Sequence, residues 1–253
     1  MSKIKTLIYF LIFPVFINAQ QQYPFEVGET CTYRIHYGPI TAGYGKLEVK
    51  AVQEESQLDS CFLFDGFGET NNFFDYIFEV NDSYISYSRI DSISPIRFIR
   101  DVYEGGHIIK QDYFFNSKKN QVIFEDSIYR IPSQTQDMLS SFYYSRVLLN
   151  NKNIKQDSIL KINIFMDEEI YPMQIKYLGN EFVKTRWGKI NCMLFVPQLQ
   201  VGRIFKNEEE LKIWISDDEN KLMIKLETKI IVGSIKALLS SFEGLKNPLS
   251  ITD

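Results

Sequence analysis

Apolar and polar residues alternate with a period of two along most of the chain, and this pattern predicts β-strands. In the segment 30–37, Cys31 and Tyr33 share one face with further apolar residues, while the polar side chains occupy the other face. Gly38 begins a turn, and the alternation resumes over 46–51. This arrangement predicts an antiparallel hairpin with one buried face.

Similar segments follow at short spacing through the rest of the chain. We predict further strands at 60–66, 73–80, 83–89, 95–103, 107–116, 120–130, 159–165, 170–178, 182–187, 189–196, 211–216 and 221–231. Regular short strands separated by turn residues favour a sandwich, a barrel or an open half-barrel. The predicted fold class is therefore mainly β, a curved antiparallel sheet that is half-barrel or barrel-like. No long linker divides the chain, so we predict one β-rich domain over residues 20–253.

Two segments depart from the strand pattern. Residues 133–137 are typical of a capped helix start, and Met138, Phe142 and Val147 then recur at helical spacing. This predicts an amphipathic helix near 134–149 that lies over one mouth or face of the sheet. Such an aromatic stripe is typical of packed core, with a ligand site as the alternative. We also predict a short C-terminal helix at 234–242.

The N-terminus has the layout of a secretory signal peptide. Lys3 and Lys5 precede an apolar stretch over 7–17, and Ala19 is the small residue before the expected cut. The stretch is shorter than the roughly 20 apolar residues that span a bilayer. We therefore predict a signal peptide at 1–19 and a soluble periplasmic or envelope-associated product, since no later segment is apolar enough to span a membrane.

Charge and cysteine content narrow the functional classes. The chain has 28 basic and 32 acidic residues, and removal of the signal peptide leaves 26 basic residues. There is no overall basic excess to favour nucleic acid or anionic lipid. Cys31, Cys61 and Cys192 are too few for a disulfide framework. We interpret them as small buried hydrophobic residues, with a Cys31–Cys61 disulfide as the open alternative.

Sequence motifs for catalysis are absent. The chain lacks a Gly-x-Ser-x-Gly elbow, a glycine-rich phosphate loop and a His-Glu-x-x-His helix, and its two histidines are His36 and His107. No cysteine pair has metal-ligand spacing, so neither a metal nor a cofactor is predicted, with a metal site made of carboxylates alone as the open alternative. The acidic runs at 167–169 and 217–220 indicate solvated hairpin tips rather than calcium loops.

Aromatic residues crowd the region between positions 62 and 78, where seven of seventeen residues are Phe or Tyr. Phe73 and Phe74 would face opposite sides of the predicted strand, so both faces would carry large rings. Ordinary core is one interpretation, and an apolar binding groove is the other, because ligand sites are concave and mostly apolar. The residues predicted to line such a groove are Phe73, Phe74, Phe142 and Tyr143.

The triplet Asp-Ser-Ile occurs three times, at 91–93, 126–128 and 157–159. It resembles the acceptor pattern for O-glycosylation of exported proteins in Bacteroidetes. The other interpretation, which we favour, is that Asp-Ser ends a turn and Ile begins a strand.

Short fragments spread over the chain occur in the order found in a known family. They contain Gly28, Glu29, Tyr33, Gly38, Gly43, Gln136, Asp137, Ser140, Glu181, Trp214, Asp217 and Asp218. Together they resemble the bacterial domain-of-unknown-function family 3108. The resemblance implies an exported, β-rich protein and carries over no catalytic residue. Its shape is similar to the curved half-barrel of periplasmic lipoprotein carriers, which is an analogy of fold alone. One departure is Leu222-Met223, where the family pattern has a proline.

Three functions follow as hypotheses. The first is a non-catalytic envelope protein that binds an apolar ligand, a lipid or a lipidated partner within the curved sheet. The second is a structural or assembly partner in the envelope. The third is a hydrolase built on carboxylates, with Asp137 or Glu181 acting together with Asp217 or Asp218. The oligomeric state is not predicted.

Overall fold

The computed structural model describes residues 23–52, 61–150, 153–198, 211–229 and 233–252. The predicted signal peptide at 1–19 lies outside the described residues. Neither helix in the described ranges is long and apolar enough to cross a membrane.

Fifteen strands and two helices make up the described part of the chain. The strands are β1 (Thr30–Tyr37), β2 (Ile40–Val52), β3 (Cys61–Thr70), β4 (Val80–Arg89), β5 (Pro95–Glu104), β6 (His107–Asn116), β7 (Gln121–Phe124), β8 (Ser127–Arg130), β9 (Ile159–Met166), β10 (Glu169–Thr185), β11 (Gly188–Gln198), β12 (Leu211–Ser216), β13 (Met223–Lys229), β14 (Ser234–Glu243) and β15 (Ile251–Thr252). The helices are α1 (Asn72–Phe78) and α2 (Met138–Asn150).

The strands form one antiparallel sheet in the order β8-β7-β6-β5-β4-β3-β2-β1-β14-β13-β12-β11-β10-β9, with β15 on β11. Chain neighbours pair from β1 to β8 and again from β9 to β14. Pairing of β1 with β14 joins the two runs. In the described residues the two edges, β8 and β9, do not pair, so the sheet is not closed into a barrel. The predicted mainly β, barrel-like class is confirmed.

Contacts between the two ends of the strand order show that the sheet is strongly curved. The turn between β9 and β10 reaches the far run of strands, where Asp167 accepts a hydrogen bond from Arg100 of β5 at 2.9 Å. Tyr129 of β8 donates to Glu168 in the same turn. The ring of Phe165 in β9 lies 5.2 Å from that of Tyr113 in β6. The two halves of the sheet therefore meet through side chains where backbone pairing stops.

Helix α2 connects β8 to β9 and packs against β3, β4 and β9. It begins at Met138 because Asp137 accepts hydrogen bonds from the backbone N–H groups of Leu139 and Ser140, at 2.8 and 2.7 Å. The predicted helix is thus confirmed. Its apolar stripe covers the largest apolar cluster, in which Tyr143 stacks on Phe64 with 3.9 Å between ring centroids.

Two predicted elements are wrong. The predicted strand at 73–80 is helix α1, because the side chain of Asn71 accepts hydrogen bonds from the N–H groups of Phe73 and Phe74, both at 3.1 Å, and starts a helix. The predicted C-terminal helix at 234–242 is strand β14. Its flanking strands β1 and β13 offer hydrogen-bonding partners on both sides, which outweigh the local helical spacing.

The three cysteines are buried, and no disulfide joins any two of them. Cys31 of β1 lies opposite Leu47 of β2, whereas Cys61 of β3 lies opposite Val52 of β2. A whole strand therefore separates the two thiols, and their partners are about 17 Å apart along it. That separation exceeds what a disulfide can bridge, so the Cys31–Cys61 alternative is excluded.

The Asp-Ser-Ile triplets all fall at turns. At 126–128 and 157–159 the triplet leads directly into β8 or β9, as the turn-then-strand interpretation expects. At 91–93 it does not, because Ile93 is buried in the turn with a φ of 53°. Glycosylation of these serines stays a hypothesis.

Candidate functional site

The four predicted lining residues fall in two separate places. Phe142 and Tyr143 lie on α2, and both belong to the apolar cluster beneath that helix, where Tyr143 is buried. Phe73 and Phe74 lie on α1, outside the buried apolar clusters. The Phe74 ring contacts that of Tyr37 at 6.3 Å, and Phe73 faces solvent. The structure therefore does not bring the two pairs together around one groove.

Helix α1 exposes most of its apolar surface. Phe73 is 64 %, Tyr76 93 %, Ile77 66 % and Phe78 52 % exposed, and none of the residues of α1 is buried. We call these four side chains the α1 rim. Contiguous exposed apolar side chains of this size mark an interaction surface more often than chance exposure.

Hydrogen bonds hold the α1 rim in a fixed position at one end of the sheet. The backbone N–H of Asn71 donates to the carbonyl of Ala42 at 2.8 Å, and its side-chain amide donates to the carbonyl of Thr41 at 2.6 Å. At the other end of the helix, Gly105 has a φ of +55°, and a Cβ there would lie 2.4 Å from the Phe78 ring. The close packing of Phe78 on this turn requires glycine. These contacts at both ends of α1 keep the side chains of the α1 rim exposed to solvent.

The family-pattern residues at the start of α2 form a buried polar joint. Besides capping the helix, Asp137 accepts a hydrogen bond from the hydroxyl of Ser86 at 2.6 Å. Burial raises the pKa of Asp137 to about 6. The Ser140 hydroxyl accepts the Asp137 N–H at 3.0 Å. Gln136 pairs through its backbone with β9, where the carbonyl of Asn163 and the N–H of Phe165 are both 2.8 Å away.

A second joint lies farther along α2, and sequence reasoning missed its central residue. Arg146 forms a bidentate ion pair with Glu29, and both side chains are buried. The same guanidinium donates to the carbonyls of Asn220 at 2.8 Å and Pro24 at 3.2 Å. The available signal was a lone charged residue three positions after Tyr143, on the apolar stripe of the helix.

The carboxylates of the acidic turn after β12 form hydrogen bonds within the turn and to a neighbouring strand. Asp218 accepts hydrogen bonds from the Ser216 hydroxyl at 2.7 Å and the Asn220 N–H at 3.0 Å. Asp217 accepts from the Asn180 amide at 2.7 Å. The indole N–H of Trp214 donates to Glu181 at 2.9 Å. These family-pattern residues thus bind neighbouring protein groups.

The remaining family-pattern residues lie around β1. Gly28 and Gly38 occupy turns on either side of the strand, and the Tyr33 hydroxyl donates to the carbonyl of Met223 at 3.1 Å. At Gly43 a Cβ would lie 2.1 Å from the Glu69 carbonyl oxygen, so any larger residue would push β3 away.

Asp137, one of the carboxylates named in the hydrolase hypothesis, does not converge with Asp217 or Asp218. Asp137, the residue that caps α2, and Arg146 within the helix lie nine residues apart, about 13 Å along the helix axis. The acidic turn contacts the Arg146 end through Asn220, whereas Asp137 lies at the other end with Ser86. No group of three His, Cys, Asp or Glu residues in the described ranges could hold a metal ion.

One solved structure with a similar fold supports the barrel-like description. A β-barrel-like protein of domain of unknown function DUF1849 from Brucella abortus superposes with a TM-score of 0.57 at 8% identity, covering 87% of this chain and 98% of that chain. A DUF1089 family protein from Pseudomonas aeruginosa has a TM-score of 0.40 at 9% identity, covering 74% and 90%. At such identities, and with the second score below 0.5, only the first likeness bears on this protein, and it concerns the fold alone.

No curated protein matches the chain. The family described as "Protein of unknown function (DUF3108)" matches residues 32–240, which covers most of the strands, both helices and the Asp137 joint. The chain therefore belongs to the DUF3108 family, as the order of its sequence fragments predicts.

Proposed function

We propose that this protein is an exported envelope protein that binds the interfacial layer of a lipid assembly through the α1 rim. The observation that carries the proposal is the exposure of four large apolar side chains on one short, firmly anchored helix. Burying a side chain of this kind contributes about 1.5–3 kcal/mol, so partial burial of all four provides useful affinity.

The chemistry of the rim favours a lipid interface over a dry protein core. Tyr76 combines an apolar ring with a polar hydroxyl, and such rings concentrate where hydrocarbon meets water. Phe73 and Phe78 add apolar rings of the kind found on the buried face of interfacial helices. The helix carries Asp75 and is followed by Glu79, with no basic residue in its last turn. Those charges favour a neutral or zwitterionic surface over an anionic one.

Packing of the concave side also favours the rim as the binding surface. Beneath α2 the space is filled by ring contacts, among them Phe25 against Tyr143 at 5.1 Å and Phe64 against Tyr143 at 3.9 Å. A ligand in that place would have to displace buried side chains, which costs several kcal/mol. The α1 rim needs no such rearrangement.

Vesicle flotation tests the proposal. The chain without its predicted signal peptide, residues 20–253, is mixed with vesicles of phosphatidylethanolamine and phosphatidylcholine. We expect binding that falls at least about tenfold in Phe73→Ser/Ile77→Ser, because two of the four anchors are lost. The matched control is Ile159→Ser/Ile170→Ser, which removes two exposed isoleucines from β9 and β10 and should bind normally.

A fluorescent probe gives an independent readout of the same surface. In Tyr76→Trp the indole occupies the most exposed position of the α1 rim. We expect its emission to shift to the blue on vesicle addition and to be quenched by lipids brominated near the headgroup. Absence of flotation together with an unshifted spectrum would refute the proposal.

The assembly-partner hypothesis is favoured by a different surface. Phe114, Ile123 and Ile128 lie directly opposite one another across β6, β7 and β8, are all exposed, and end at the unpaired edge of the described sheet. An exposed edge with an apolar face is a template for strand pairing. A concentration-dependent mass in size-exclusion chromatography with light scattering, abolished by Ile128→Lys, would support self-assembly through this edge.

A further inference from the structure

A cavity of about 340 Å³ lies between β1, β14 and the tip of the β10–β11 hairpin. Arg34 and His36 contribute from β1, and Lys184 and Arg186 contribute from the hairpin. The hairpin tip is fixed in place, because Arg186 donates to the carbonyl of Ser240 at 3.3 Å and the Trp187 ring contacts Phe242 at 4.9 Å. The four basic residues therefore come from β1 and from a hairpin that is distant in sequence and docked on β14, the strand paired with β1.

The charges of this cavity are unbalanced. Its lining contains no Asp or Glu, although the chain as a whole has more acidic than basic residues. Within the described residues, neither Arg34 nor Lys184 has an ion-pair partner. Lys236, whose positive charge lowers the pKa of His36, forms an ion pair with Glu227 at 3.3 Å. A concave site with several unpaired cations concentrates anions.

The interior wall of the cavity is apolar. Ile224 and Leu239, which line it, are buried members of an apolar cluster, and Leu238 lies beside them. A site that combines a few converging charges with an apolar wall has the composition of a small-molecule pocket, and its volume lies at the low end for such pockets.

We propose that Arg34, His36, Lys184 and Arg186 bind an oxyanion of the phosphate class at this cavity. The arginines offer forked donors that match phosphate oxygens, and Lys184 adds a point charge. The adjoining apolar wall would accommodate an alkyl group attached to the phosphate. This site goes beyond the proposed lipid-surface binding, since it uses none of the residues of the α1 rim.

His36 provides the spectroscopic readout. Burial lowers the pKa of His36, and the nearby positive charges of Arg34 and Lys236 lower it further. An anion bound among these groups must oppose that effect and raise the pKa of His36. The chain has two histidines, and His107 lies in the β5–β6 turn at the start of β6, so its resonances serve as an internal control in the same spectrum.

The experiment follows both imidazoles by NMR in the chain of residues 20–253, with inorganic phosphate and hexyl phosphate as separate probes at constant ionic strength. We expect saturable changes at His36 and none at His107. Tighter binding of hexyl phosphate would identify an amphiphile as the source of the phosphate, and equal binding would identify free phosphate. If neither probe moves His36, or both histidines move alike, the proposal is overturned.

Variants assign the effect to the cavity. Arg34→Gln/Lys184→Gln removes two cations that have no described ion-pair partner, so the fold should survive, which the dispersion of the spectrum verifies. We expect the Kd for both probes to rise at least about tenfold. Lys118→Gln/Lys119→Gln removes the same charge from an exposed turn and should leave the Kd unchanged. Equal affinity of the two double variants would overturn the site. Loss of vesicle flotation would leave these results unaffected, so the two proposals fail separately.

Discussion

Arg146 and Glu29 lie 117 residues apart in the chain and form a buried, bidentate ion pair. The distance from Nη2 of Arg146 to Oε2 of Glu29 is 2.9 Å. Through this pair and the carbonyls of Pro24 and Asn220, helix α2 is tied to the segment before β1 and to the turn after β12. One guanidinium group thus links three parts of the chain that are distant in sequence.

We expect Glu29→Gln to destabilise the protein by about 3–5 kcal/mol, because it leaves the Arg146 charge buried without a counter-ion. Urea unfolding at pH 7 followed by circular dichroism measures the change. The control is Asp101→Asn, which breaks the exposed pair with Lys110 and should cost at most about 1 kcal/mol. Equal losses in the two variants would contradict the role assigned to the buried pair.

Asp137 should make stability depend on pH in a defined window. Its pKa in the folded protein is about 6, against about 3.9 in an unfolded chain. Below about pH 4 the carboxyl is protonated in both states. Between about pH 4 and 6 the folded state keeps a proton that the unfolded state has lost, so stability falls as the pH rises and then levels off, a loss of up to about 3 kcal/mol.

The substitution Asp137→Asn isolates this effect, because asparagine still caps a helix but does not titrate. Unfolding free energies from pH 3.5 to 7.5 are compared for the two proteins. We expect wild type to lose stability relative to the variant as the pH rises through the window. Asp82, whose pKa burial also raises to about 6, is present in both proteins and cancels in the difference. A pH-independent difference would rule out the titration of Asp137.

Truncation of an aromatic residue beneath α2 should lower the stability of the protein far more than truncation of one in the α1 rim. Phe64→Ala removes the ring that stacks on Tyr143 and should cost about 3–5 kcal/mol, through lost burial and a residual cavity. Phe73→Ala removes an exposed ring from the α1 rim and should change stability by less than about 0.5 kcal/mol. Chemical denaturation compares the two. A large loss in Phe73→Ala would mean that α1 contributes to the core.

The thiols should be inert in the folded protein. Burial raises the pKa of Cys31 and of Cys192 to about 12, and all three cysteines are inaccessible. We expect slow reaction with Ellman's reagent under native conditions and three reactive thiols per chain in urea without reductant. One reactive thiol in urea would instead reveal a disulfide.

Local patterns were sufficient where an element is determined by its own residues. The strand predicted at 30–37 agrees with β1, and the capped helix start predicted at 133–137 lies directly before α2. Helix α1 was missed because its aromatic residues have strand propensity, and the capping side chain of Asn71 decides the conformation. Strand β14 was missed because its conformation depends on pairing with β1, a partner distant in sequence.

The same distinction applies to the candidate sites. The exposed aromatics of the α1 rim lie in the region that the sequence identifies as rich in aromatic residues. The cationic cavity could not be predicted, because Arg34 and Lys184 meet through the docking of a hairpin on strands far from it in sequence. Arg146 was recoverable only as a charge on an otherwise apolar helix face.

The pairing of β1 with β14 determines when this protein can finish folding. The Ser240 hydroxyl donates to the carbonyl of Thr32 across 208 residues of chain. During synthesis, β1 therefore lacks one of its two neighbouring strands until nearly the whole chain has been made. Closing so long a loop slows folding, and the waiting edge of β1 is open to wrong partners. We therefore expect the two halves of the sheet to join in one late step, after β14 has been made.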